Sequence, residues 1–303
     1  MISKPKLAIV GAGRLATFLG VALHDAGFTI TEIVTRDSAR SRRRARSLAA
    51  RVGARVVAAN SATLAATLLW FCVPDGEIHN AASAMADHLA ARKAANKAGG
   101  SPSKILNNIR SNLRFAFHSS GALLSHELEP LRKADVAVAS VHPLMTFVAG
   151  AQPSLTDVPF AIEGDEAAKR VARRIVHQLG GKSFSLPASR KAAYHAWATM
   201  TSPLLLAFLV TLEESARAAG LTRQDARHKS LPIIRQTLAN YSCLGPARSF
   251  SGPLVRGDAA TVAKHLTVLK KHPGAHEVYV ALARAALRGL PVKNREGLQR
   301  LLR

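Results

Sequence analysis

The chain has 303 residues, 48% hydrophobic but only 5% aromatic, and a formal net charge of +23. Apolar content is ample for about two domains with cores of Ala, Leu and Val. Cys72 and Cys243 fit neither a metal nor a disulfide pattern, which excludes a cystine scaffold or zinc site and points to a reducing, cytoplasmic setting.

Leu7-Ala8-Ile9-Val10 reads as a first strand, too short for a signal peptide. Gly11-Ala12-Gly13-Arg14-Leu15-Ala16 follows, and Leu15 to Ala26 reads as a helix. Strand, G-x-G-x-x-A, helix is the dinucleotide-binding pattern. Gly11 permits the tight turn, Gly13 leaves room for a pyrophosphate, and Ala16 lets the helix pack close. Amide groups at the helix start, from Arg14 and Leu15 on, face the anion.

Phe28 to Thr35 reads as the second strand, Ser38 to Arg51 as its helix and Ala54 to Ala58 as the third strand. Leu68 to Val73 is continuously apolar, as a central parallel strand covered on both faces would be. Pro74-Asp75 ends it, and Gly76 to Ala91 is helical. Lys93 to Asn112 reads as a polar surface excursion. Arg114 to Phe117 and Val136 to Val141 are strands around a helix at Ser125 to Lys133. Phe160 to Gly164 and Ser183 to Leu186 flank a helix at Glu166 to Leu179. The alternation predicts an α/β fold, a doubly wound parallel Rossmann sheet.

Helices follow: a long one from Ser189 to about Ala219, stopped by Gly220, then Arg223–Tyr241, Ala259–Leu269, Ala275–Arg288 and Arg295–Leu302. The expected organisation is a Rossmann domain over 1–187 and an all-α substrate and dimerisation domain over 188–303. Ala192 to Leu212 is low in charge, but its Tyr, His, Thr, Ser and Pro residues predict a buried helix and no membrane partner.

Six features carry chemistry. Where an NAD enzyme places an acid on the ribose, about 20 residues past the glycines, this strand ends Thr35-Arg36, with Arg40 beyond. A guanidinium fork suits a 2′-phosphate, so Thr35, Arg36 and Arg40 predict NADP. Glu32 falls inside the strand. Val73 and Pro74 end the apolar strand, where such sheets bind ligands. His118-Ser119-Ser120-Gly121-Ala122 and Ser140-Val141-His142-Pro143-Leu144 follow two more strands. They make His118 and Ser119 cofactor candidates, and Ser119 and His142 substrate candidates. Lys191, His195 and Ser202 share one face of the long helix, an acid–base stripe, and Pro203 is placed to bend it. Arg256, before the N-cap Asp258, is a candidate for an acidic substrate group. Arg36, Arg40, Arg42, Arg43, Arg44 and Arg46 form one basic cluster, and Arg92, Lys93, Lys97 and Lys104 another. Neither carries interleaved aromatics, so they read as solvated surface rather than as a nucleic-acid interface.

These motifs, in this order and over nearly the whole chain, resemble the Rossmann-like family whose C-terminal half is domain of unknown function 2520. That family is similar to pyrroline-5-carboxylate reductase, ketopantoate reductase and the six-phosphogluconate dehydrogenase group. The resemblance implies a C-terminal domain like that of six-phosphogluconate dehydrogenase and a homodimer through it. It also implies hydride transfer to or from a carbon bearing oxygen or nitrogen. Lys191 matches the lysine that β-hydroxyacid dehydrogenases carry on the interdomain helix, while His195 stands where they carry Asn. The expected function is an NADP-dependent oxidoreductase acting on a small carbonyl or imine in the interdomain cleft, with His195 exchanging the proton and Lys191 polarising the oxyanion. Three alternatives are an NADP-binding sensor or scaffold without turnover, a deazaflavin-dependent reductase, and a basic nucleic-acid-binding protein.

Overall fold

The computed structural model describes residues 4–97, 112–151 and 153–303. The chain divides into two compact units, Met1–Ala198 and Thr199–Arg303.

The first unit runs β1 (Leu7–Val10), α1 (Arg14–Asp25), β2 (Ile30–Val34), α2 (Ala39–Val52), β3 (Arg55–Val57), β4 (Leu68–Phe71) and α3 (Ile78–Lys97). It continues with β5 (Phe115–His118), α4 (Glu129–Arg132), β6 (Ala137–Pro143), β7 (Pro159–Gly164), α5 (Glu166–Gln178), β8 (Lys182–Ser185) and the start of α6 (Lys191–Thr201). The polar excursion is shorter than expected, because α3 continues to Lys97. Most of the rest of that stretch lies outside the described residues.

One eight-stranded sheet has the order β3-β2-β1-β4-β5-β6-β7-β8. The order of connection reverses between β1 and β4, so the connections that leave their paired carboxyl ends run to opposite faces of the sheet and leave a crevice. The sheet is not wholly parallel. β7 runs antiparallel to β6, with His142 opposite Ala161 and Ser140 opposite Glu163. Hydrophobic periodicity carries no strand direction, so the sequence did not distinguish the two.

The continuous apolar run in β4 is explained by burial on both faces. Leu68 and Trp70 join Ile9 and Phe117 under α1, α2 and α5, while Leu69 and Phe71 join Val10 and Ala116 under α3 and α4. Gly20 and Ala16 let α1 press on the sheet; a Cβ on Gly20 would stand 3.1 Å from Ile9.

Glu32 is buried in β2. It accepts from Arg55 Nη2 at 2.8 Å and from the Thr63 amide at 3.2 and 3.1 Å. Its carboxylate therefore ties β3 and the following turn to β2 and is not available to a ligand.

The second unit holds the rest of α6, then α7 (Pro203–Ser215), α8 (Arg223–Leu244), α9 (Pro246–Ser249), α10 (Pro253–Arg256), α11 (Ala259–Leu269), α12 (Pro273–Gly289) and α13 (Arg295–Leu301). The division between the units falls inside α6, after Ala198, and Lys191 and Tyr194 before it are buried and bonded to β6. The long helix is also broken. Ser202 leaves helical geometry (φ −126°, ψ −72°) and Pro203 starts α7, giving pieces of 11 and 13 residues. Taken together, Ala188–Ala219 are long and apolar enough to cross a membrane by length and composition.

The expected burial of this stretch is overturned. No residue of α7 is buried, and Trp197, Met200, Leu204 and Leu206 are exposed. The unit's core is formed by Val262, Leu266, Ala283, Leu287, Leu298 and Leu302 of α11 to α13 and the residue after them. An apolar composition required cover, but the described residues do not supply it.

Replacing Glu32 with Ala leaves the buried Thr63 amide without an acceptor. The variant is expected to lose about 1–3 kcal/mol of stability, read as a lower urea midpoint at unchanged m-value; an unchanged midpoint would count against this role.

Candidate functional site

The β1–α1 turn lies at the sheet's parting. Gly11 has φ +104°, and a Cβ on it would sit 2.6 Å from the Cys72 carbonyl oxygen, so only glycine passes there. The Gly11 amide donates to Val34 and the Cys72 amide to Val10, each at 2.8 Å, holding three strand ends together. Gly13 precedes α1 with no side chain capping the helix, so the first-turn amides from Arg14 and Leu15 on are aimed past the sheet rim.

In front of this turn lies a cavity of about 810 Å³. Gly11, Gly13, Thr35, Arg36, Val73 and Pro74 line it, as do Ser41, Arg44, Asn60, Glu77 and Asp87. The structure thus brings together most of the predicted cofactor residues, but not all. Arg40 is not part of the lining; Ser41 and Arg44, one helical step apart by three on α2, face the cavity in its place. The buried face at Ala45, Leu48, Ala49 and Val52 was the signal that fixed this rotation. Asp37 does not cap α2; Ser38 does, and Asp37 pairs with Arg42. Arg36 lies 3.7 Å from Glu77, with both side chains largely in solvent.

His118 and Ser119 do not line the cavity. His118 is fully buried: its Nδ1 accepts from the Ser120 amide at 3.1 Å, and its Nε2 donates to the Leu124 carbonyl at 2.9 Å. Burial pushes it down to about 4, so it is a neutral brace with no nitrogen left for a ligand. Ser119 Oγ accepts from the Trp70 indole at 2.9 Å, which explains how a fully buried Trp satisfies its N–H. Both motif residues serve the core: His118 bonds within its own turn, and Ser119 meets a Trp70 that lies 49 residues away in sequence.

Beyond Pro74 the rim is polar. Ser120 Oγ donates to Asp75 at 2.8 Å and accepts from the amides of Ala122 and Leu123. Ser140 Oγ donates to the Ser120 carbonyl at 3.1 Å. Lys191 Nζ donates to Ser140 Oγ. Lys191 is only 2% exposed. Burial lowers it to about 8, against the opposing pull of Glu163 and Asp75. His142 Nδ1 and Tyr194 Oη are 2.7 Å apart with the rings edge-on. Burial, then Lys191 and His195, push His142 down to about 4. Gly121 packs against both imidazoles: a Cβ there would be 2.8 Å from His142 Nε2 and 2.9 Å from His195 Cδ2.

His142, Lys191 and His195 therefore converge from β6 and α6. Tyr194, Ser140 and Gly121 join them although none was singled out as a site residue. Ser202 and Arg256 lie in the second unit, at the α6–α7 break and the end of α10, and both are exposed. The segment after Arg256 has a structural role. Asp258 caps α11 through Thr261 at 3.0 Å, and Gly257 packs on the Lys293 carbonyl. Among the described residues no cluster of His, Cys, Asp or Glu is arranged for a metal.

Residues 2–143 match the Rossmann-like domain, and residues 158–286 match the Domain of unknown function (DUF2520). The chain thus carries a Rossmann-like domain followed by a DUF2520 domain. No curated protein sequence matches it. Among solved structures, a Bacteroides fragilis protein described as an NADP oxidoreductase is 20% identical, with a TM-score of 0.70 over 93% of this chain and 97% of its own. A reductive aminase from Aspergillus terreus, solved with NADPH and ethyl-5-oxohexanoate, is 16% identical, with a TM-score of 0.60 over 99% and 100%. A pyrroline-5-carboxylate reductase from Coxiella burnetii is 13% identical, with a TM-score of 0.58 over 93% and 98%. At these identities the likeness is one of fold.

Two neutral histidines, His118 buried and His142 part-buried, make folding pH-dependent. Their folded values near 4 lie below the unfolded value near 6.5. Unfolding therefore takes up protons between those limits, and stability falls as pH drops from about 6.5 towards 4. The slope of unfolding free energy near pH 5.3 is expected to report about two protons from this pair, with His142→Gln removing about one. A flat profile between pH 6.5 and 5 would contradict the assignment.

Proposed function

We propose that the protein is an NADP-dependent oxidoreductase that acts on a small carbonyl or imine. One observation carries the reading. The strand end that lines the glycine-turn cavity, Cys72 to Pro74, continues directly into Asp75, which is bonded to Ser120 beside Gly121, His142 and His195. A cofactor pocket and an acid–base cluster thus share one sheet rim within the first unit.

The residues present fit a dinucleotide. The Gly11 cradle would be filled by any Cβ, and the first-turn amides of α1 suit a pyrophosphate. Arg36, Ser41 and Arg44, with Thr35, supply two guanidinium groups and two hydroxyls for a 2′-phosphate. Glu32, the acid that spacing offers to a ribose, is committed to Arg55 and Thr63. The names of the structural neighbours, an NADP oxidoreductase and a reductive aminase solved with NADPH among them, support the same cofactor.

The chemistry a bound NADPH supplies is hydride donation. This chain's residues orient the substrate and handle the proton. His195, packed on Gly121 beside His142, delivers the proton to the atom that gains charge. Lys191, buried and held by Ser140, contributes its positive charge from behind the cluster rather than by contact. The proposal includes a homodimer through α7 and α8, on whose surfaces Leu204, Leu206, Ile233 and Tyr241 are exposed within one chain.

Titration with both cofactors tests the pocket. NADPH is expected to bind more tightly than NADH, and Arg44→Ala to weaken NADPH about tenfold with little effect on NADH. Tighter binding of NADH by the unaltered protein would reject the phosphate site. In a panel of small ketones and cyclic imines, His195→Ala is expected to lower kcat by about a hundredfold or more; full turnover in that variant would remove His195 from the mechanism.

A further inference from the structure

His142 and Tyr194 form a pair whose geometry goes beyond the proton exchange assigned to His195. We propose that Tyr194 is a positioning residue that holds His142 as the neutral imidazole with its proton on Nε2, and that this Nε2–H donates to the carbonyl oxygen or imine nitrogen of the substrate. The second half rests on the reductase reading above.

The direction of the 2.7 Å bond follows from the two groups. A phenol is the stronger acid and a very weak base, whereas an imidazole nitrogen is a good acceptor. Tyr194 Oη–H therefore donates to His142 Nδ1, and the ring proton resides on Nε2. The tyrosine is itself fixed: it is buried, its ring meets Phe184 and Trp197, and burial pushes it up to about 12. The pair stays neutral on both sides. The charged and titratable groups acting on His142 are Lys191 and His195, and both oppose its protonation.

Nε2 is the nitrogen turned to Gly121. Among the described residues it makes no hydrogen bond, whereas both nitrogens of His118 are bonded. A methyl group at residue 121 would lie 2.8 Å from Nε2 and cover it. Glycine there leaves a neutral N–H donor uncovered beside His195. Reduction forms a C–H bond at the substrate carbon, moves the π pair onto oxygen or nitrogen, and ends with one proton on that atom while NADPH is oxidised to NADP⁺. A fixed neutral donor at the atom that gains the electron pair is worth more in the transition state than in the ground state.

The test uses the full-length protein with ¹⁵N-labelled histidine. At pH 7 the His142 resonances are expected to show Nε2 protonated and Nδ1 bare. In Tyr194→Phe, which keeps the ring contacts, the two tautomers should mix while the thermal midpoint changes little. A proton on Nδ1 of the unaltered protein, an imidazolium at pH 7, or an unmoved tautomer in the variant would overturn the positioning role. With a reducible substrate in hand, Tyr194→Phe should lower kcat about tenfold with KM nearly unchanged. His142→Gln, which offers an amide N–H near Nε2, should retain turnover that His142→Phe loses. Equal activity of these two variants would overturn the donor role. If no carbonyl or imine is reduced although NADPH binds, the reductase reading and the donor role fail together, and the tautomer measurement still judges Tyr194.

Discussion

The site depends on one close approach, Gly11 passing under the carbonyl of Cys72. A side chain there would push β1 and β4 apart where their amides link Val34, Val10 and Cys72. That linkage opens the crevice in front of the glycine turn and fixes where β4 ends. From that end the chain runs through Val73 and Pro74, which line the cavity, to Asp75, which binds Ser120. The location of the second half of the site thus follows from the first. A single backbone constraint sets the distance between the glycine turn and the cluster of His142, Lys191 and His195.

Behind the rim lies a buried polar layer that holds the cluster still. His118 spans from Ser120 to Leu124, Ser119 satisfies Trp70, and Ser140 links Ser120 to Lys191. Unpaired, each of these groups would cost a few kcal/mol in such an interior; paired, they act as rigid joints. The same layer separates roles that look alike in sequence. His118 is closed on both nitrogens, whereas among the described residues His142 keeps Nε2 open. Two histidines stand near the ends of neighbouring strands, and only one has a ring nitrogen without a hydrogen bond among the described residues.

Much of this was legible in the residues. The glycine turn, the doubly apolar β4 and the Lys191–His195 spacing each have a local cause, a dihedral, a burial pattern or a helical period. What was not legible depends on partners distant in sequence. Tyr194 meets His142 across 52 residues, and Trp70 meets Ser119 across 49. The rotation of α2 that presents Ser41 and Arg44 instead of Arg40 follows from its buried stripe, visible once the sheet is in place. The direction of β7 leaves no trace in periodicity. The exposure of α7 was missed because composition shows that an apolar face needs cover without showing whether the same chain provides it.

The central claim is that one rim carries both the cofactor pocket and the reacting cluster. A crystal structure of the protein with NADPH tests it most directly. The account predicts the adenosine phosphate between Arg36 and Arg44, the pyrophosphate on the amides of the first turn of α1, and the nicotinamide on the Gly121 and His142 side of Pro74. A cofactor whose nicotinamide lies away from Gly121 and His142, or a 2′-phosphate that touches neither arginine, would contradict it.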